Sequence, residues 1–279
     1  MKSHLFIGQV YKKEVKGRRG LDEIWKGVFM MEERIDYLVR WLQDKVEEAG
    51  ADGALVGISG GIDSAVVSYL VKKAFPDQSL GVLLPINKKM EEQTDALAVV
   101  EGADLDYIGI NLTDAYETTY KAVKGQIEEK GDWKDDKSQL GGANLKARLR
   151  MSTLYAVGNN YNYLVVGTDN AAEDYTGYFT KYGDGGVDLV PLINLRKEEV
   201  REMAGALDVP SSIIEKKPSA ELWEGQTDED ELGMSYDTID AYLRGEKINP
   251  EDEKKLKDRH EQTAHKRQIP AGPEEYRGD

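Results

Sequence analysis

The chain has 279 residues, 40% of them hydrophobic and 8% aromatic, enough to bury a full core in one or two domains, and it lacks the composition of a disordered polymer. A formal charge of −15 argues against a surface that binds nucleic-acid backbone, which needs a basic stripe, but it leaves room for a small anion in a locally basic pocket. With no cysteine there is no disulfide, thiolate metal site or cysteine nucleophile, and no apolar run approaches the roughly 18 residues of a membrane span.

Residues 1–30 read as an N-terminal extension carrying the basic cluster Lys12, Lys13, Lys16, Arg18 and Arg19. Leu5-Phe6-Ile7 is too short for a signal-peptide core, so the expected location is the cytoplasm. Residues 31–279 read as one domain with a helical C-terminal tail. Ile35, Leu38, Val39, Leu42 and Val46 recur at helical spacing up to Gly50. Ala54-Leu55-Val56-Gly57-Ile58 predicts a buried strand, and Ala65, Val66, Tyr69, Leu70 and Ala74 predict the helix after it. Gly81–Pro85 is a second strand, Ala96–Val100 lies in a helix, and Tyr107–Ile110 is a third strand. Residues 113–124 read as helix, 125–143 as a polar mobile loop, Leu145–Val157 as helix and Tyr163–Gly167 as strand. A short strand, Asp188-Leu189-Val190, then precedes a helix from about Arg196 to Leu207. Strands alternating with helices predict an α/β fold, a parallel sheet with helices on both faces and its ligand at the strand C-terminal ends.

Between the first strand and its helix stands Ser59-Gly60-Gly61-Ile62-Asp63-Ser64. A Gly-rich turn entering a helix offers free N–H groups, two hydroxyls and the positive end of the helix dipole, which together bind phosphate. There is no Walker lysine and no G-x-G-x-x-G fingerprint. Asp63 would repel a phosphate unless a cation lay between them, which implies Mg²⁺. The loop resembles that of the ATP pyrophosphatases, which cleave ATP between its α- and β-phosphates.

Further strings resemble the NAD synthetase branch of that superfamily over essentially residues 144–270. They are Asn144–Met151, Gly167-Thr168-Asp169-Asn170-Ala171-Ala172-Glu173, Gly177–Gly186, Pro218-Ser219-Ala220, Gln226-Thr227-Asp228-Glu229 and His265-Lys266-Arg267-Gln268-Ile269-Pro270. The resemblance implies the Rossmann-like adenine-nucleotide α-hydrolase fold and an ammonia-dependent amidation of deamido-NAD to NAD through an NAD-adenylate, with AMP and pyrophosphate released. It implies ATP bound by Gly57, Ile58, Ser59, Gly60, Gly61, Ile62, Asp63, Ser64, Thr168, Lys197 and Ser219, and Mg²⁺ held by Asp63 and Glu173. Deamido-NAD would be held by Arg148, Lys181, Asp188, His265 and Lys266, with Arg150 read as a surface charge. Asp184 would hold or deprotonate ammonium, although Asp-Gly is equally a common turn signal. A homodimer is expected, with residues 113–124 and 145–157 between subunits. A stretch around 216–232, with Trp223 beside Ser219, is expected to close as a lid.

The alternatives are another amidating synthetase resembling GMP synthetase, or a non-catalytic nucleotide-binding module on the same fold. Lacking cysteine, the chain does not make its own ammonia from glutamine by a cysteine amidotransferase, and a separate glutaminase partner stays open. Other patterns carry no chemistry. His260 and His265 are five apart, about 140° around a helix, and so do not form a zincin pair. The acidic run Asp228–Glu231 lacks the EF-hand glycine and reads as part of the solvated lid.

Overall fold

The computed structural model describes residues 18–88, 90, 93–218 and 227–273, with the backbone alone for 18–29. Four parallel strands form one sheet in the order β3-β2-β1-β4: β1 (Gly53–Gly57), β2 (Ser79–Leu83), β3 (Tyr107–Gly109) and β4 (Tyr163–Val166). The central strand β1 is continuously apolar because both of its faces are covered. Ala54 and Val56 join one core with α1 (Arg18–Glu48), α2 (Ile62–Ala74) and α7 (Lys197–Ala206). Leu55 points into a second core with Leu80, Val82 and Val165, against Leu149 and Leu154 of α5 (Asp135–Tyr161). The helix α3 (Thr94–Gly102) links β2 to β3, and α4 (Thr113–Glu129) precedes α5. After β4 come α6 (Ala171–Thr176), α7 and α8 (Ser211–Ile214). The C-terminal tail is helical: α9 (Asp228–Leu232), α10 (Tyr236–Leu243), α11 (Pro250–Gln262) and a 3₁₀ turn, Ala264–Lys266. It packs on α6 through a third core containing Ala172, Leu232, Tyr236, Ile239 and Leu256. No described helix is long and apolar enough to cross a membrane.

The structure corrects the expectation of a mobile loop at 125–143. Helix α4 runs on to Glu129 and α5 begins at Asp135, leaving only a short connection. Aromatic packing stabilises this corner: Tyr116 stacks on Tyr120, whose ring meets Trp133 edge-on, and the Lys124 ammonium lies over that indole. Of the glycines in this stretch Gly125 lies inside α4 and Gly141 and Gly142 inside α5, and at Gly142 the missing side chain admits the Tyr116 hydroxyl, 2.8 Å from where a Cβ would stand. The expected strand 188–190 reduces to a single bridge between Leu189 and Val166. The first helix begins earlier than its apolar pattern, at Arg18, and crosses Met30 without interruption. Residues 219–226, eight of the seventeen positions of the expected lid and with them Ser219 and Trp223, lie outside the described residues.

Candidate active site

The loop sits where the sequence placed it, at the C-terminal end of β1. Gly60 has φ +83°, and a Cβ there would stand 2.7 Å from Cβ of Asp95, so this turn needs glycine twice over. The serine hydroxyls brace the turn: Ser64 Oγ donates to Gly61 O at 2.9 Å, and Ser59 Oγ accepts from Gly61 N–H at 3.2 Å and lies 3.1 Å from Ser64 Oγ. Asp63, in the first turn of α2, faces out of the loop toward two other elements.

One of these is α7. Its first residue, Lys197, is 1% exposed and donates from Nζ to Asp63 Oδ2 at 2.5 Å, with Glu173 Oε1 3.7 Å away. The start of α7 is capped from α10: Asp240 Oδ1 and Oδ2 accept the N–H groups of Lys197 and Glu198 at 3.2 and 2.9 Å. The other element is α6, which carries Glu173. Asn170 caps it, its Oδ1 accepting from Ala172 and Glu173 N–H, while Glu173 Oε2 accepts from Asn170 N–H at 3.1 Å. The same Asn170 donates from Nδ2 to Asp63 Oδ1 at 2.9 Å, so one fully buried amide both starts α6 and fixes Asp63.

Negative charge exceeds positive at this point. Burial, and then Asp63, push the Glu173 carboxyl up to about 8, opposed by Lys197. Burial would lower Lys197, but Asp63 and Glu173 outweigh it and raise the ammonium. Asp169 is held well above the usual carboxylate range by burial, Asp184 and Glu173. Asp184 is raised by burial, against the N–H of Thr180, which donates to its Oδ1 at 3.1 Å.

The residues expected to hold the second substrate gather in part. Arg148 donates to Lys181 O, Lys181 Nζ to His265 O, and Lys266 Nζ to Gly177 O and Phe179 O at 2.7 and 2.6 Å. Arg148, Lys181 and the 3₁₀ turn with His265 and Lys266 thus border the segment that carries Asp184. Asp188 stands apart from them: its carboxylate accepts from Tyr155 OH at 2.9 Å and Val165 N–H at 2.8 Å, tying α5 to β4. Thr168 follows β4 at the sheet's C-terminal edge. Arg150 is no surface charge; it is half-buried and its Nε donates to Leu84 O at 3.1 Å. Nor is Asp228 solvated: it is 5% exposed and accepts from Tyr178 OH and Tyr236 OH, both at 3.1 Å. Sequence reasoning gave no role to Asn170, Tyr236 or Asp240. Only Asn170 had a signal, an Asn three residues before Glu173 that spells a capping box.

A Gly-Ser turn into a helix at the C-terminal edge of a parallel sheet, facing a buried lysine and two carboxylates, defines a nucleotide-binding α/β enzyme of the pyrophosphate-loop class. Comparison with known proteins narrows this further, because the model described as NAD synthase matches residues 34–270, and the chain belongs to that family. It is thus a carbon–nitrogen ligase of NAD biosynthesis. The NH₃-dependent NAD⁺ synthetase of Alkaliphilus oremlandii is 51% identical over 243 residues, spanning 87% of this chain and 97% of that protein. Among solved structures, NMN synthetase from Francisella tularensis superposes with a TM-score of 0.79 at 38% identity, covering 88% of this chain and 98% of that one. The NH₃-dependent NAD synthetase of Campylobacter jejuni gives 0.68 at 28% identity, covering 88% and 99%.

The raised Glu173 yields a pH prediction. Its folded pKa, about 8, lies above the ordinary 4.5, so the folded protein holds an extra proton between those values. The stabilisation from that proton is full below the ordinary value and is lost as pH rises through 8. In metal-free buffer the urea midpoint should therefore fall from about pH 5 to about pH 8 more steeply in the wild type than in Glu173→Gln. Equal slopes would remove the assignment.

Proposed function

We propose that the chain makes NAD by amidating deamido-NAD with ammonia at the expense of ATP, in the cytoplasm, with residues 31–279 as the synthetase domain and 1–30 as an extension. One observation carries the reading: the buried Lys197 ammonium, bracketed by Asp63 of the pyrophosphate loop and Glu173 of α6. The nicotinate carboxylate attacks the α-phosphorus of ATP and forms an adenylate. Ammonia then attacks the acyl carbon, and AMP leaves. Lys197 and the loop N–H groups stabilise the negative charge that develops on pyrophosphate. Thr168 and Ser219 are assigned to ATP, and Arg148, Lys181, Asp188, His265 and Lys266 to deamido-NAD. Asp184, whose carboxyl is raised by desolvation, is assigned to ammonium.

The residues fit Mg²⁺. Asp63 and Glu173 are hard oxygen donors, and Glu173 at about 8 is a buried carboxyl lacking sufficient positive charge nearby. Mg²⁺ is commonly held by one or two carboxylates together with substrate phosphates, and Asp63 and Glu173 would supply the carboxylates. When bound, the ion neutralises phosphate charge. A second reading, amidation of the mononucleotide, draws on the Francisella tularensis neighbour, described as an NMN synthetase.

Purified protein given ATP and ammonium is expected to form NAD from deamido-NAD, faster than it amidates nicotinate mononucleotide. Glutamine as sole nitrogen source should give no product. Turnover with glutamine near the ammonium rate, or preference for the mononucleotide, would refute the respective part of the reading. Asp63→Ala should stay folded by circular dichroism and lose roughly 100-fold or more in kcat; near-normal turnover would reduce Asp63 to a turn residue.

A homodimer packed through α4 and α5 is also proposed. It is supported by α4, which buries none of its residues within the chain, and by Val123 and Leu140, 49% and 61% exposed. Light scattering should give twice the mass of the chain, and a fully active monomer would exclude it.

A further inference from the structure

Tyr236 is completely buried, yet its hydroxyl reaches the catalytic cluster. It lies 3.4 Å from Glu173 Oε1, the same oxygen that lies 3.7 Å from Lys197 Nζ, and 3.1 Å from Asp228 Oδ2. Its ring lies under the Lys197 ammonium, 4.8 Å from Nζ to the ring centre. One side chain therefore touches both a carboxylate and the cation of the site. Its own placement is fixed at several points. Its backbone N–H donates to Glu229 Oε1 at 2.9 Å, Ser235 caps the helix it begins, and Asp240, one turn further along the same face of α10, caps α7 under Lys197.

We propose that Tyr236 is a positioning residue for the metal site. Its hydroxyl orients the Glu173 carboxylate, and its ring holds the Lys197 ammonium beside Asp63, with Asp228 fixing the phenol from behind. The proposal rests on the reading of Asp63 and Glu173 as the Mg²⁺ ligands. Glu173 has its other oxygen committed to the Asn170 N–H at 3.1 Å, so Oε1 is the freer one, and Tyr236 limits how it turns. Partners that orient a ligating carboxylate commonly affect metal affinity by 10–100-fold when removed. The cation over the ring contributes separately, by attraction to the aromatic face.

Tyr236→Phe tests the hydroxyl alone, since it deletes one oxygen and keeps the ring. Mn²⁺ serves as the paramagnetic probe, titrated with α,β-methylene-ATP present and followed by the free-ion electron paramagnetic resonance signal. Tyr236→Phe is expected to weaken Mn²⁺ binding about 10–100-fold, with circular dichroism unchanged and turnover recovering as Mg²⁺ is raised. Tyr175→Phe is the control. It breaks the 2.9 Å contact between the Tyr175 and Tyr242 hydroxyls in the same core, on the helix that carries Glu173 but at a hydroxyl bonded to Tyr242 and not to Glu173, and should bind Mn²⁺ within twofold of wild type. Glu173→Gln tests the underlying assignment and should lose the Mn²⁺ site. If Glu173→Gln loses it while Tyr236→Phe binds within twofold of wild type, the proposal is overturned and the metal assignment stands. Equal weakening in Tyr175→Phe and Tyr236→Phe would mean a loosened core, and would also overturn it. Unchanged binding in Glu173→Gln would overturn the assignment and the proposal together.

Discussion

A lysine ammonium taken almost wholly out of water is the constraint on which the rest of this site depends. Burying an ion costs several kcal/mol even after the protein relaxes, and removing one partner of a buried pair commonly costs about 3–5 kcal/mol. Lys197 accepts that cost because Asp63 lies against it and Glu173 lies close by. The carboxylates depend on it in turn: one cation serves two or more acids, and Glu173 stays protonated to an unusually high pH. The cluster is thus poised to take up further positive charge, a demand that phosphate binding through a divalent ion would meet.

The fold supplies that cluster from separate pieces, each fixed by its own local chemistry. Alternation along β1 sends Leu55 to one core and Ala54 and Val56 to the other, which locks the strand and aims the loop that follows it. Asp63 comes from the helix after β1, Glu173 from a capping box after β4, and Lys197 from a helix start held by Asp240. Asn170 links two of these pieces directly. Basic side chains near the C-terminus do comparable work on the backbone: Lys266 donates to Gly177 O and Phe179 O, and Arg267 to Asp174 O, so the end of α6 and the segment after it are held from the tail.

Much of this was legible in the sequence because it is local. The Ser59–Ser64 loop, its flanking strand and helix, and the order of strands and helices are written in runs of fewer than twenty residues, and hydrophobic period and glycine placement suffice to read them. Asp63 could be singled out from the chemistry of its own loop, and Glu173 and Lys197 through the family resemblance, and the structure brings all three together. What escaped depends on contacts across the chain. Gly142 looked like loop, since nothing local announces that Tyr116 and Tyr120 occupy the space a side chain would take. Asp228 looked like one acid in a solvated run, because its burial is set by Tyr178 and Tyr236. Asp240 gives no local sign that it caps a helix beginning at Lys197.

The separations involved also bear on how the enzyme comes into being during translation. Asp63 and Lys197 are 134 positions apart, Asp63 and Asn170 are 107 apart, and Lys197 meets its cap a further 43 residues on. A nascent chain can complete β1, its loop and α2 while most of its partners are still unsynthesised. Until α6 and α7 emerge Asp63 lacks Asn170 and Lys197, and until α10 emerges the start of α7 lacks its Asp240 cap. The surroundings of the loop are therefore completed only as the last quarter of the polypeptide is made, and a product ending before α10 would carry Lys197 without the cap that starts its helix.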